Sequence, residues 1–188
     1  MEKLVQRFQK LLSQTTTSFL RYNHQTIDWN DRMTAIVGAR GVGKTTLILQ
    51  HIKLHHSLKD TLYVSADDFY FSEHKLLEFA EDFHKLGGKH LFVDEIHKYN
   101  GWSKEMKLIY DYLPNLQVTF TGSSILDIFR GTDDLSRRVL LYKMYGMSFR
   151  EYLNMHYQLS LPTYSLEQIL NREVVAEGIE FPLLPPPP

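Results

Sequence analysis

The sequence predicts an α/β fold: three layers, with a five-stranded parallel sheet between two layers of helices. Three observations carry this. Short apolar runs recur along the chain: MTAIV (33–37), TLYVS (61–65), HLFVD (90–94), QVTFT (117–121) and RRVLLYKM (137–144). Stretches with helical spacing of apolar residues lie between them. The runs lack polar alternation, which is the pattern of parallel strands covered on both faces.

The elements follow in order. Residues 2–13 read as a helix with Leu4, Val5, Phe8, Leu11 and Leu12 on one face. SFLRY and TIDW read as short extended pieces around a turn at Asn23-His24. After the first strand a helix starts near Lys44. The second strand leads to a helix over about 73–86, stopped by Gly87-Gly88. The third leads to a helix over 102–113, ended by Pro114, and the fourth to a short helix from about Ile125. After Gly146 two consecutive helices begin at capping boxes, Ser148 with Glu151 and Ser165 with Gln168, separated by Pro162. FPLLPPPP then reads as an extended polyproline tail. The chain divides into an N-terminal helix with short strands (1–32), a core (33–145), and a helical extension with a Pro-rich tail (146–188) that reads as the start of a longer region.

Composition narrows the class. The chain has 188 residues, a net charge of −1 and 43% hydrophobic residues. That suffices for one domain with a buried core and a small appendage. The balance lacks the basic excess of bulk nucleic-acid binders. With no cysteine, disulfides, thiolate metal sites and cysteine nucleophiles are excluded. No apolar run approaches the roughly 18 residues of a membrane helix. The N-terminus has alternating charge instead of a signal-peptide core, so the expectation is a cytoplasmic protein without a membrane partner.

The deciding motif lies between the first strand and its helix. In GARGVGKTT, Gly38, Gly43, Lys44 and Thr45 fit the phosphate-binding P-loop pattern. Glycines let successive amides of Gly38, Ala39, Arg40, Gly41, Val42 and Gly43 turn toward phosphate oxygens. The helix from Lys44 through Thr46 presents its positive end to the same oxygens. Lys44 reaches the β- and γ-phosphates, and the Thr45 hydroxyl is a ligand for Mg²⁺.

Asp94 and Glu95 close the third strand. Adjacent strand residues point to opposite faces. Asp94 therefore reads as the Walker B carboxylate that holds Mg²⁺, and Glu95 as the base that polarises the attacking water. The fourth strand ends VTFTGSS, where such ATPases carry a polar γ-phosphate sensor. Ser124 with Asp127 reads as a helix cap, which leaves Ser123 as sensor and Thr121 as the alternative, unless the serines only cap or turn. The guanine-selective N-K-x-D motif is absent, which ranks a GTPase low.

GARGVGKTTLILQ, YVSADD, LFVDEIHKYNGWSKEMKLIYD, FTGSSILDI and LSRRVLLYKMYGMSFREYL together resemble the AAA-type ATPase domain of a bacterial and archaeal family. Its members usually carry a C-terminal domain of unknown function, sometimes described as nuclease-like. The resemblance covers about 15–155 and implies sheet order 5-1-4-3-2, ATP hydrolysis, homo-oligomers, and a protein or DNA client reached through the C-terminal region. It also implies a role for Arg138, which matches the family's arginine before the last strand better than Arg137: stabilising γ-phosphate charge in cis or from a neighbouring subunit. A surface charge at a strand start is the other reading.

Other residues read more plainly. Asp67 and Asp68 touch Mg²⁺ or its waters, or cap a loop. His97 relays between the γ-phosphate and the next loop. Trp102 packs at a helix start. Phe149, Tyr152 and Leu153 give SFREYL a packing role. His51 and His55 have metal-like i, i+4 spacing, but with no third ligand in frame these residues and His56 read as a solvated face. Adenine contacts are expected near Phe19–His24.

Overall fold

The computed structural model describes residues 1–123, 135 and 137–170. Helix α1 (Glu2–Gln14) is followed by a single helical turn, α2 (Asn23–Thr26). Then come β1 (Met33–Val37), α3 (Lys44–His55), β2 (Thr61–Ser65), α4 (Tyr70–Glu73), α5 (Leu76–Lys85) and β3 (His90–Asp94). A 3₁₀ turn at Ile96–Lys98 leads to α6 (Trp102–Tyr112), β4 (Gln117–Gly122), β5 (Leu140–Lys143), α7 (Phe149–Tyr157) and α8 (Leu166–Leu170).

The five strands form one parallel sheet in the order β2-β3-β4-β1-β5, which is the expected order 5-1-4-3-2 read from the other side. Every residue of β1, the strand MTAIV between β4 and β5, is buried. That is why the apolar runs carry no alternation: helices cover both faces. Helix α1 lies against β2 and α3, with Leu4, Phe8 and Leu12 buried and Phe8 stacked on Tyr63 (centroids 6.1 Å apart). Helices α5 and α6 pack on each other, and Trp102 is buried against Phe120, as its place at a helix start suggested.

Several elements differ from expectation. SFLRY and TIDW are not strands; the segment carries α2 where a turn was expected. The helix over 73–86 is two, α4 and α5, because His74 and Lys75 are extended between them. The last strand is Leu140–Lys143, and Arg137 and Arg138 stand in the turn before it. Leu11 is 41% exposed and off the α1 core face. Phe149 and Tyr152 point to solvent, and only Leu153 of that trio is buried. His51 is buried, not solvated. Both capping boxes form, Ser148 with Glu151 and Ser165 with Gln168. The readings of Ser124 with Asp127, the helix from Ile125, the second extension helix beyond Leu170 and the proline tail lie outside the described residues.

Candidate nucleotide-binding site

The site forms at the edge where the parallel strands end. There β1 runs into Gly38, β3 into Glu95 and β4 into Ser123. Two glycines shape the loop for different reasons. A Cβ on Gly38 would stand 2.1 Å from the Met144 carbonyl oxygen, so no side chain fits there. Gly43, at the start of α3, has φ +98°, which L-residues with side chains rarely adopt. Ala39, Arg40, Gly41 and Thr46 are exposed on the loop and first helical turn, and Val42 is half-buried.

Lys44 is buried, and its ammonium donates to the carbonyls of Gly38 (2.8 Å) and Ala39 (3.0 Å). These bonds solvate a charge that burial would otherwise penalise by several kcal/mol. Thr45 Oγ1 donates to Asp94 Oδ2 at 2.6 Å. Tyr63 donates to the same oxygen at 2.8 Å, and Thr121 Oγ1 donates to Oδ1. Three hydroxyls thus hold a carboxylate that is only 3% exposed. Burial first, then the Asp94 charge, pushes the Tyr63 phenol far above its usual pKa, so it stays a neutral donor.

Sequence reasoning gave Tyr63 no role, yet strand alternation could have found it. Register pairs Ser65 with Asp94, and Tyr63 lies two residues earlier on the same face. The pairing of Val93 with Phe120 likewise brings Thr121 beside Asp94. The sensor alternative Thr121 therefore anchors the strand-end carboxylate.

Glu95 leaves the sheet. Its φ of +52° is left-handed, a conformation that costs a non-glycine residue about 1–2 kcal/mol. The turn is held by its amide, which donates to Thr121 Oγ1 at 2.9 Å and to Asp94 Oδ1 at 3.1 Å. The Glu95 carboxylate lies 3.3 Å from His97 Nε2, and that nitrogen is 2.8 Å from Ser123 Oγ. The Ser123 amide donates weakly to Nδ1 (3.4 Å), an arrangement that keeps the proton on Nε2. His97 thus bridges Glu95 and Ser123, the two strand-end residues that motif reasoning singled out separately.

Two other candidates sit elsewhere. Arg138 donates to Asp111 Oδ1 at 3.0 Å, just before the strand in which Leu140 pairs with Thr34. Thr34 lies near the start of β1, so Arg138 stands toward the end of the sheet where β1 begins, whereas Lys44 follows the end of that strand. Asp68 accepts from the Tyr70 amide (3.0 Å) and pairs with Arg7, and Asp67 accepts from Ser65 Oγ. Both acids therefore have the capping-type roles open to them.

The unforeseen residue is Arg21. It is 8% exposed and donates to the carbonyls of Val42 (2.7 Å), Tyr145 (2.9 Å) and Gly146 (3.2 Å) and to Glu151 (3.0 Å). Glu151 also accepts from the amides of Tyr22 (2.8 Å) and Ser148 (2.9 Å). Burial opposes the charge on Glu151, but these amides and Arg21 outweigh it and hold the pKa near about 2. One ion pair thereby ties the N-terminal segment, the P-loop and α7 together. A cavity of about 790 Å³ opens beside it, lined in part by Tyr22, Asn23, Tyr145 and Tyr164.

With this geometry in place, comparison with known proteins is direct. An AAA domain profile matches residues 30–153, most of the chain. The chain belongs to the AAA domain family. An uncharacterized protein of Methanocaldococcus jannaschii is 32% identical over 157 residues, covering 77% of this chain and 33% of that protein. The chain therefore spans about a third of the length of that relative. The structure of C. elegans PCH-2 aligns with a TM-score of 0.42 at 18% identity, over 77% of this chain and 41% of that one. The AAA domain here is a P-loop nucleotide-binding domain, and no helix among its described residues is long and apolar enough to cross a membrane.

Proposed function

We propose that this AAA domain binds ATP with Mg²⁺ and hydrolyses it. The Thr45–Asp94 hydrogen bond at 2.6 Å carries the reading. It brings a P-loop hydroxyl and a strand-end carboxylate to one point, and both offer the hard oxygens that Mg²⁺ takes. Thr45 would hold the ion directly and Asp94 through water, and the ion would neutralise phosphate charge. Lys44, now on the loop carbonyls, would transfer its donors to phosphate oxygens. Glu95 would accept the proton of the attacking water, with His97 fixing its orientation and Ser123 close enough to report the γ-phosphate. The cavity between Arg21–Asn23 and Tyr145–Gly146 adjoins the loop through the Arg21–Val42 bond and would take the adenine and ribose.

Arg138 would serve a neighbouring subunit's nucleotide in a homo-oligomer, since its own P-loop follows the other end of β1. Work on a protein or DNA client would pass through the helices after Gly146, which Arg21 and Glu151 couple to the loop. Steady-state phosphate release by wild type and Lys44→Ala tests the proposal. Release that equals the Lys44→Ala background overturns it.

A second reading is a nucleotide switch with negligible turnover. The contact of the Glu95 carboxylate with His97 favours it, because a paired carboxylate is less available to water. Tight nucleotide binding by calorimetry without phosphate release would select this reading.

A further inference from the structure

The helix that opens the nucleotide site closes, two to three turns later, on a cluster of imidazoles at the opposite edge of the sheet. His51 and His55 lie one turn apart on α3, and His24 comes from α2. One ring nitrogen from each lies within 4.8 Å of the others. At the usual rise per residue, His51 is about 9 Å along the helix from Thr45. The cluster is therefore separate from the phosphate-facing edge.

Two features set these rings apart from ordinary surface histidines. His51 is 5% exposed and stacked on Trp29, with centroids 3.7 Å apart and planes within 8°. His24 is 9% exposed. Yet His24 Nε2 and His51 Nδ1 are buried without a hydrogen-bond partner. Each such atom costs about 1–3 kcal/mol unless something satisfies it.

The wiring behind His51 says what could. Its other nitrogen, Nε2, is 3.0 Å from His56 Nε2, and His56 Nδ1 is 3.4 Å from Thr61 Oγ1. With the proton on His51 Nε2, His56 accepts it and donates onward from Nδ1 to Thr61. His51 Nδ1 is then left as a bare, oriented lone pair. A polar group that fixes the tautomer and tilt of an imidazole from behind is the usual support of a metal-ligating histidine.

We propose that His24, His51 and His55 form a binding site for a divalent transition metal ion of the zinc class. Three imidazoles suit zinc, cobalt or nickel and disfavour magnesium, so this ion is distinct from the one at Thr45. Closing on one ion requires nitrogens about 3.3 Å apart in tetrahedral geometry. The exposed His55 can swing inward to supply that closure. A cavity of about 530 Å³, lined also by Asp28 and Asn30, leaves room for a fourth ligand from solvent. Burial, then His56 and the other neighbouring rings, lowers the His51 pKa to about 3, and burial and His55 lower that of His24. Neither ring then needs to lose a proton to bind at neutral pH. The bound ion would clamp α2 onto α3, and the residues just before α2 are those that reach the P-loop.

The test uses the untagged protein, stripped with a chelator and titrated with Zn²⁺ by calorimetry and with Co²⁺ by absorption and Trp fluorescence. The expected result is one equivalent bound, visible Co²⁺ ligand-field bands, and quenching that disappears in Trp29→Phe. His55→Ala and His24→Phe should each weaken binding at least tenfold, whereas His74→Ala, at an exposed position just after α4, should not. Because His55 is exposed, its removal does not threaten the fold, and circular dichroism checks this. Absence of saturable 1:1 binding, or equal affinity in wild type and His55→Ala, overturns the proposal.

Discussion

The two ends of α3 solve opposite problems. At its start, polar atoms are buried and almost fully paired: Lys44 on two carbonyls, Asp94 on three hydroxyls, Glu95 on Thr121 and His97. At its end, polar atoms are buried and left partly unpaired, at His24 Nε2 and His51 Nδ1. A completed network is rigid before its ligand arrives, while an incomplete one draws its stability from a ligand. Removing a polar group should therefore hurt the first end and be tolerated at the second.

Turnover gives the largest contrast. Glu95→Gln keeps the side-chain volume but removes the base, so phosphate release should fall about 10²–10⁴-fold with nucleotide binding retained. Lys89→Ala, at the start of β3 on the other edge, should stay within twofold. A small effect of Glu95→Gln in a protein that does turn over would move the general base elsewhere and break the contrast at its root.

Stability comes next. Arg21→Met strands the Glu151 carboxylate, which is buried with it, and should cost about 3–5 kcal/mol in denaturant melts. Acid probes the same pair. Glu151 has a folded pKa near 2, below its ordinary value of 4.5. Its contribution is then full above about pH 5 and is lost as pH falls toward 2. The histidine cluster has its own window. His51 and His56, lowered by burial to about 3 and about 4, bind protons more readily when unfolded. Their contribution is present above about pH 6.5 and declines as pH falls through 6 and 5. Chelator-treated protein should thus lose stability in two steps on acidification, histidine end first. A flat profile between pH 7 and 5 would show that the rings titrate freely.

This asymmetry also explains what the sequence made visible. The P-loop, Asp94 and Glu95 are contiguous in short motifs, because phosphate is held by successive amides and strand ends. Tyr63 and Thr121 needed the strand order, which motif spacing does not supply. Arg21 and Glu151 are 130 residues apart, and the capping box that revealed Glu151 accounts for only part of its hydrogen bonding. The third histidine was hidden for a related reason. His51 and His55 show their helical spacing, but His24 joins them only because residues 23–26 form a helical turn packed on α3 in place of the expected turn between strands.

Thr121→Val sharpens the contrast at moderate size. It keeps the shape of a fully buried β-branched residue while deleting the donor to Asp94 and the acceptor for the Glu95 amide. Two buried partners lose their bond, and a cost of about 1–3 kcal/mol is expected, with turnover lowered as Glu95 loses its left-handed support. Unchanged thermal stability would show that the network is not held together through Thr121.

The smallest effect is the most telling, because it is expected at the other end. His24→Phe replaces a ring of similar shape, keeps an aromatic face beside Trp29 (centroids 6.1 Å apart) and deletes a buried nitrogen that has no partner. In chelator the change should be under about 1 kcal/mol, of either sign, since a desolvation cost disappears along with the ring's polarity. With saturating Zn²⁺ the wild type should gain stability and the variant should not, because the ligand acts only on a folded state that can bind it. A loss of several kcal/mol in chelator would mean that His24 already has its partner within the fold. The two ends of α3 would then be built alike, each closed by its own hydrogen bonds.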